Sequence, residues 1–382
     1  MPTNRKLVIL NQASNYLTIG FANAFIKEFD EVVLMTGSVH VQGEDLDSQI
    51  KIHSINRWYE SPALKKIKSY LLAMIKMWWL LMTKYRKHEV YFVSVPPMGY
   101  LLNIFLPHRF SMVIWDVYPD IFKITGMQES HPVYRIWTWL NRKSFKKAYR
   151  LFTISEKMAE LLHKYVDPNK VIVQPIWSIF QENKKVSKAD NPFIKEHNLE
   201  GKFIVQYSGN IGLTHNVEAL VDIAELLQNE RNILFQIIGR GPRKAVLENV
   251  VENRQLSNCM FLPFQSDEMF PYSLSAADLG VVILDESTSK GSVPSKSFNL
   301  MSYGIPSLYI ASADSQLKDY AKSYGHAICY SKSQIGEIAD EIVRLKEDGQ
   351  ALKSMSVHAE MAAKDFTRSN ADCFVTKYFS SS

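Results

Sequence analysis

Cysteine is scarce: Cys259, Cys329 and Cys373 are scattered through 382 residues. They are too far apart and odd in number for a disulfide framework, and none has the C-x-x-C spacing of a zinc site, so a reducing compartment is implied. His53, His88 and His326 show no ligand spacing such as H-E-x-x-H, and no metal site is expected. Long apolar runs are also missing. The best candidate, 70–83, has Lys76 inside it and falls short of the roughly 20 residues that span a bilayer. The amino terminus passes from a short polar start into an apolar run at 7–10 without the extended core of a signal peptide, so no secretion is expected. Net charge is nearly balanced, 44 basic residues against 39 acidic, which gives no basis for a nucleic-acid partner. Locally, however, acids are scarce. Between Arg57 and Lys87 eight Lys or Arg face a single Glu60, and between Arg135 and Arg150 six face none.

What is present is enough apolar residue, 46%, for two domains that each bury a core. Apolar runs of strand length stand at 7–10, 32–35, 90–95, 112–115, 151–154 and 171–173, separated by helical or loop stretches. Continuous rather than alternating runs of this kind predict a parallel sheet covered on both faces. The polar, charged stretch 181–200 reads as a linker. After it the rhythm resumes at 203–207, 233–238, 260–262, 279–284, 307–310 and 327–330. Two doubly wound α/β domains follow, with ligands at the carboxyl ends of their strands and a cleft between them as the expected active site. From 334 onward the pattern is mostly helical, with a break near 365–370.

The densest chemical signal follows the run at 279–284. Gly291-Ser292-Val293-Pro294-Ser295-Lys296-Ser297-Phe298-Asn299 brings a loop with Gly, Ser and Lys to the start of a predicted helix. Backbone N–H groups, hydroxyls and a cation can receive an anion there, aided by the helix dipole. A capped helix with a solvated lysine is the other reading that the spacing allows. Gln206-Tyr207-Ser208-Gly209-Asn210-Ile211-Gly212 places two glycines between a strand and a helix, where a phosphate or a neighbouring chain can approach the backbone. Taken alone, this G-x-x-G is weak.

With Ile238-Gly239-Arg240-Gly241-Pro242 and Phe261-Leu262-Pro263-Phe264, these segments stand in an order that resembles the carboxyl-terminal domain of retaining glycosyltransferase family 4. The likeness is to its bacterial surface-polysaccharide, colanic-acid and O-antigen type members, which share a V-P-S-K start. It covers the second domain almost throughout and the first more weakly. The resemblance implies a GT-B fold of two Rossmann-like domains facing a cleft: an acceptor domain at 1–180, a linker at 181–200, a donor domain at 201–355, and a helical segment at 356–382 that crosses back to the first domain. It further implies a nucleotide-diphosphate sugar as donor substrate, with no cofactor and no bound metal. The donor-side residues would be Ser208, Gly209, Asn210, Gly212, His215, Arg240, Ser295, Lys296 and Asn299.

The chain departs from that family at two places. Many members carry Arg and Lys after the first strand of the donor domain, where Asn210 and His215 stand here, so Lys296 becomes the principal and catalytic cation. The family's E-x7-E positions fall on Gly291 and Asn299. Asn299 can hydrogen-bond a ribose hydroxyl, but without the charge assistance of a carboxylate.

In the first domain, Trp115-Asp116-Val117-Tyr118-Pro119-Asp120 follows a strand and resembles the D-x-W-P-E motif of polysaccharide-assembly members. Asp116 is the candidate catalytic carboxylate, placed to orient or deprotonate an acceptor hydroxyl; a turn cap is its alternative. Asp120 is either an acceptor contact or a helix cap. Ser94-Val95-Pro96-Pro97-Met98-Gly99 resembles the family's P-P segment, and Pro97 either shapes the acceptor pocket or simply stops the strand. Asn11-Gln12-Ala13-Ser14-Asn15 occupies the place of a glycine-rich loop, making Asn15 an acceptor-side candidate if it is not part of a plain loop.

The run 70–83, with paired tryptophans and flanked by Lys65, Lys66, Lys68, Lys84, Arg86 and Lys87, reads as an interfacial segment on an anionic membrane; a helix buried on the sheet is its alternative. The expected activity is sugar transfer to a lipid-linked or saccharide acceptor in cell-surface polysaccharide or lipopolysaccharide assembly, on the cytoplasmic side of the inner membrane. An epimerase on the same fold and a non-catalytic partner subunit are the rivals.

Overall fold

The computed structural model describes residues 4–59, 63–181, 185–212 and 216–380. The chain forms two compact units, Met1–Ile179 with Thr367–Ser382, and Phe180–Phe366.

In the first unit, β1 (Lys6–Leu10), β2 (Glu31–Thr36), β3 (Lys51–Ser54), β4 (Glu89–Val93), β5 (Phe110–Ile114), β6 (Leu151–Thr153) and β7 (Val171–Val173) form one sheet in the order β3-β2-β1-β4-β5-β6-β7. All pairings are parallel. β1 to β5 bury almost every side chain except in β3, as a sheet covered on both faces requires. The short edge strand β3 was not anticipated: its sequence, KIHS, is polar and largely exposed, so no apolar run marks it. Helix Tyr16–Phe25 packs against the last helix, Asn370–Phe379, through tight aromatic contacts: Phe21 with Phe374 at 4.9 Å and Phe25 with Tyr378 at 5.3 Å between ring centroids. Arg368 anchors this return of the chain by pairing with Glu44 and donating to the Gly20 carbonyl.

In the second unit, β8 (Phe203–Ser208), β9 (Ile233–Ile238), β10 (Cys259–Leu262), β11 (Leu279–Ile283), β12 (Ser307–Ile310) and β13 (Ala327–Tyr330) form a second parallel sheet in the order β10-β9-β8-β11-β12-β13. Both units are therefore Rossmann-like. In each, the strand order reverses once, between β1 and β4 and between β8 and β11, and such reversals leave a crevice at the carboxyl ends of the strands.

The described part of the stretch expected as a linker, 185–200, belongs instead to the second unit. Its helix Pro192–Glu196 buries Phe193 and Ile194 against Ile204, Leu234 and Ala276. Lys188 pairs with Asp278, and the Asn191 amide donates to the Tyr272 carbonyl at 2.8 Å. Two apolar residues were enough to fold a segment whose composition is that of a connector. At the other end, helix Gly349–Ala363 stays in the second unit, and the return begins at Thr367 rather than at 356.

Helix Ala63–Thr83 buries some of its apolar side chains and leaves others exposed. Ala73, Met77, Leu80 and Leu81 are buried, while Leu64, Ile67, Leu71, Leu72, Ile75, Trp78 and Trp79 are exposed, Leu64 to 83% and Trp79 to 57%. Among the described residues no helix is long and apolar enough to cross a membrane.

Candidate functional site

In the second unit the turns that follow β8 and β9 lie against one another. The N–H of Gly209 donates to the Ile238 carbonyl at 2.8 Å, and that of Ile211 to the Arg240 carbonyl at 2.8 Å. Gly209 and Gly239 have φ of 153° and 156°. A Cβ at Gly239 would overlap the Gly209 carbonyl oxygen, and one at Gly209 would overlap the end of the Lys296 side chain. Glycine is thus needed at Gly209 so that backbone and ammonium can meet.

Lys296 lies in the first turn of helix Ser295–Ser302. That helix starts at Pro294 with no side-chain cap and no acid in its first turn, which leaves N–H groups and dipole open to an anion. The Lys296 ammonium donates to the Tyr207 hydroxyl at 2.8 Å and lies 4.1 Å from that ring's centroid. The Tyr207 hydroxyl in turn donates to the Asn210 carbonyl at 2.6 Å. No carboxylate pairs with Lys296 among the described residues. Burial without a counter-charge brings its ammonium down to about 7. A small cavity beneath it, lined by Gln206, Ser208, Phe270, Leu274 and Asn299 among others, contains no acid. Beyond the same turns, Gly239, Arg240, Gly241, Lys244, Pro263 and Phe264 edge an open hollow of about 540 Å³, with the Arg240 guanidinium 5.4 Å from the Phe264 ring centroid.

The structure thus brings Ser208, Gly209, Asn210, Gly212, Arg240, Ser295, Lys296 and Asn299 to the carboxyl end of one sheet. His215 lies outside the described residues. Tyr207, which holds Lys296, escaped sequence reasoning. Its one available signal was an aromatic residue directly before the glycine turn.

In the first unit Asp116 stands just past the end of β5. Among the described residues it makes no hydrogen bond and no ion pair, so it caps no turn. Burial alone pushes its carboxyl up to about 6. Among the described residues, the Trp115 indole N–H, the Tyr70 hydroxyl and the Gln12 side-chain oxygen of the same unit are also buried without hydrogen bonds. Gln12 donates its amide to the Ser69 hydroxyl at 2.9 Å, tying the loop after β1 to the helix that carries Tyr70.

Of the other acceptor-side candidates, Asn15 and Asp120 are bonded within the fold. Asn15 caps helix Tyr16–Phe25, accepting from the Leu17 N–H at 3.2 Å. Asn11 closes the same loop, donating to the Val93 carbonyl at 2.9 Å and accepting from Ala13 N–H at 2.8 Å, so polar side chains do the work of the missing glycines within the loop itself. Asp120 is buried and saturated: the Tyr134 hydroxyl donates to it at 2.7 Å, and Lys164 and the Tyr165 hydroxyl bind it as well. Burial would raise its carboxyl, yet Lys164, Tyr165 and Tyr134 outweigh that and hold it below the ordinary value. Pro97 lies half-buried in the turn after β4.

Two parallel-sheet Rossmann-like units of this kind make up the GT-B fold. Residues 189–361 match the family model described as Glycosyl transferases group 1. The chain is 28% identical over 216 residues to the putative colanic acid biosynthesis glycosyl transferase WcaI of Escherichia coli K12, and 26% identical over 215 residues to the probable glycosyltransferase WbjE of Pseudomonas aeruginosa. These matches cover 56% and 55% of this chain, and the chain spans about half, 53%, of either relative. Among solved structures, WaaG, a glycosyltransferase involved in lipopolysaccharide biosynthesis, superposes with a TM-score of 0.72 at 13% identity, covering 98% of this chain and all of WaaG. Anabaena HepE in complex with UDP and glucose gives a TM-score of 0.72 at 13% identity, with 98% of each chain covered. The resemblance to surface-polysaccharide GT-B glycosyltransferases read from the motifs therefore holds.

Proposed function

We propose that the protein is a retaining sugar transferase of family 4 type. It would take a nucleotide-diphosphate sugar on the second unit and pass the sugar to a lipid-linked acceptor in surface-polysaccharide or lipopolysaccharide assembly. One observation carries the reading: an ammonium without a counter-charge among the described residues, held by Tyr207 against the Gly209 turn at an uncapped helix start. That arrangement lacks an anion and has the donors for a diphosphate. The hollow beside Arg240 and Phe264 is of a size to take the nucleoside.

In the transfer, the bond from the anomeric carbon to the β-phosphate oxygen breaks as the acceptor oxygen bonds to that carbon from the same face. The leaving diphosphate gains negative charge, which Lys296 and the helix start stabilise. The acceptor's proton is lost to the departing phosphate or to Asp116, whose elevated value suits a base near neutrality. The indole N–H of Trp115, the residue directly before Asp116, has no hydrogen-bond partner among the described residues and supports a polyhydroxyl acceptor there.

Lys296 gives this reading a pH signature. An anion bound beside an ammonium that stands at about 7 when free raises it, so binding of a nucleotide sugar takes up a proton. Affinity is therefore full below pH 7 and declines as pH rises above it. Calorimetric titration at pH 7.5 in two buffers of different ionisation enthalpy should register net proton uptake, and the uptake should vanish in Lys296→Ala. Equal heats in the two buffers would remove Lys296 from the phosphate site.

The same reading assigns helix Ala63–Thr83 to an anionic membrane. Its exposed leucines, isoleucines and tryptophans are flanked by Lys65, Lys66, Lys68, Lys84, Arg86 and Lys87, and Val133, Ile136 and Trp139 of helix Pro132–Lys147 add a second exposed apolar row beside basic residues. Cations near such a surface contribute about 1 kcal/mol each and are screened by salt. The protein should co-sediment with phosphatidylglycerol vesicles at low salt, and Gln at those six positions should leave it in the supernatant. Pelleting that is indifferent to these changes would refute the assignment.

A further inference from the structure

Asn141 stands in the interior of helix Pro132–Lys147 with none of its surface exposed. A buried amide is costly there, since Asn is a modest helix former and its donor and acceptor must both be met once water is gone. Both are met from outside the helix. The Asn141 side-chain N–H donates to the Tyr118 carbonyl at 2.6 Å, and its side-chain oxygen accepts from the Tyr100 hydroxyl at 2.8 Å.

Tyr118 lies two residues after Asp116, in the turn that joins β5 to the short 3₁₀ helix Asp120–Thr125. The carbonyls on either side of it take backbone donors: that of Val117 accepts from the Ile121 N–H at 3.1 Å and that of Pro119 from the Phe122 N–H at 2.9 Å. The Tyr118 carbonyl between them takes its donor from a side chain 23 positions on. Trp137, one helical turn before Asn141, stacks on the Tyr118 ring at 5.6 Å between centroids with planes 9° apart, and donates its indole N–H to the Tyr100 hydroxyl at 2.9 Å. Tyr134, on the same helix face, donates to Asp120 at 2.7 Å. One face of this helix therefore grips the turn just beyond Asp116 at both Tyr118 and Asp120. Asp116 itself has no hydrogen bond or ion pair among the described residues, so its carboxyl is placed by the backbone before and after it. Its charge is felt at Tyr118, whose hydroxyl is raised by burial and then by Asp116.

We propose that Asn141 is a positioning residue: by closing the Tyr118 carbonyl it fixes the turn that aims the Asp116 carboxyl at the acceptor and keeps water from it. The inference rests on the reading of Asp116 as the group that receives the acceptor hydroxyl. Without Asn141 a carbonyl is left without its donor, and the turn relieves that cost by opening to water. The carboxyl is then better hydrated and less sharply placed.

Asn141→Leu, close in volume but without the donor, and Asn141→Ala test this against Asn103→Ala. The Asn103 amide is equally buried and donates to the Ser144 carbonyl of the same helix at 2.8 Å, so its loss reports damage to the packing of that helix without removing a bond to the turn. The first readout is chemical denaturation from pH 4 to 7.5 of each variant with and without Asp116→Asn. The pH-dependent part of the stabilisation by Asp116→Asn gives the value of the carboxyl in the folded protein, about 6 in the wild type. In both Asn141 variants that value should fall by about one pH unit as burial is relieved. In Asn103→Ala it should stay. The second readout is turnover, in an assay that registers the loss in Asp116→Asn. Asn141→Leu should lower it by about ten- to a hundredfold, with affinity for UDP or GDP unchanged, and should cost little more when Asp116→Asn is already present. A carboxyl unmoved by both Asn141 variants, or moved as far by Asn103→Ala, would overturn the proposal, as would a loss of turnover that is the same with and without Asp116→Asn. Full activity of Asp116→Asn would overturn the reading of Asp116 and the catalytic purpose of Asn141 with it, while the stability comparison still decides whether Asn141 places the carboxyl.

Discussion

Lys296→Ala is expected to lower affinity for nucleotide diphosphates by about tenfold or more, the worth of one charge-assisted hydrogen bond to phosphate, and to lower turnover by a further hundredfold or so. The larger effect on turnover follows from the direction of charge flow. The diphosphate is more negative when the sugar has left than in the bound donor, so a fixed ammonium stabilises the transition state more than the ground state. Little in the second unit shares the task at this point. Among the described residues no acid competes for Lys296, and Tyr207 only holds it in place. Affinity for the bare nucleoside should stay as it is. A variant that bound nucleoside and diphosphate equally worse would indicate a folding defect, and one that bound both unchanged would return Lys296 to a structural role.

Asp116→Asn should cut turnover by about two to four orders of magnitude, the usual contribution of a positioned base, with donor affinity preserved. In the wild type, the rate should fall as pH drops below about 6, where the carboxyl takes up its proton. The same substitution should stabilise the fold. A carboxyl raised from an ordinary 3.8 to about 6 costs nothing below pH 4, costs progressively more up to pH 6, and exacts its full penalty above that. Relative to wild type, the asparagine variant should therefore be more stable at pH 7.5 by about 1 to 3 kcal/mol and equal to it at pH 4. Chemical denaturation at the two pH values reads this directly. Equal stability at both, together with unchanged turnover, would show a carboxylate that is neither buried at cost nor used.

The parallel sheets were legible because their strands are continuous apolar runs, and 7–10 and 233–238 fall within or on β1 and β9. β3 was not, since a polar edge strand is defined by its neighbour β2 and not by its own composition. The donor side was legible as a glycine turn and a lysine at a helix start. Its electrostatics was not, because burial lowers the Lys296 ammonium, and that burial comes from a fold that sets it against Tyr207, 89 positions away, and Gly209. The two carboxylates of the 115–120 motif look alike in sequence and differ in the fold for the same kind of reason. Lys164 and Tyr165, 44 and 45 positions beyond Asp120, saturate it, and among the described residues nothing comparable reaches Asp116.

The central claim is that the second unit holds a nucleotide diphosphate by its diphosphate. Calorimetric titration of the wild-type protein with UDP, GDP and their sugars, beside uridine and guanosine, tests it most directly. The account predicts saturable binding of at least one of the diphosphates, tighter than its nucleoside by about tenfold or more. Nucleoside and diphosphate binding equally, or neither binding across the series, would contradict it.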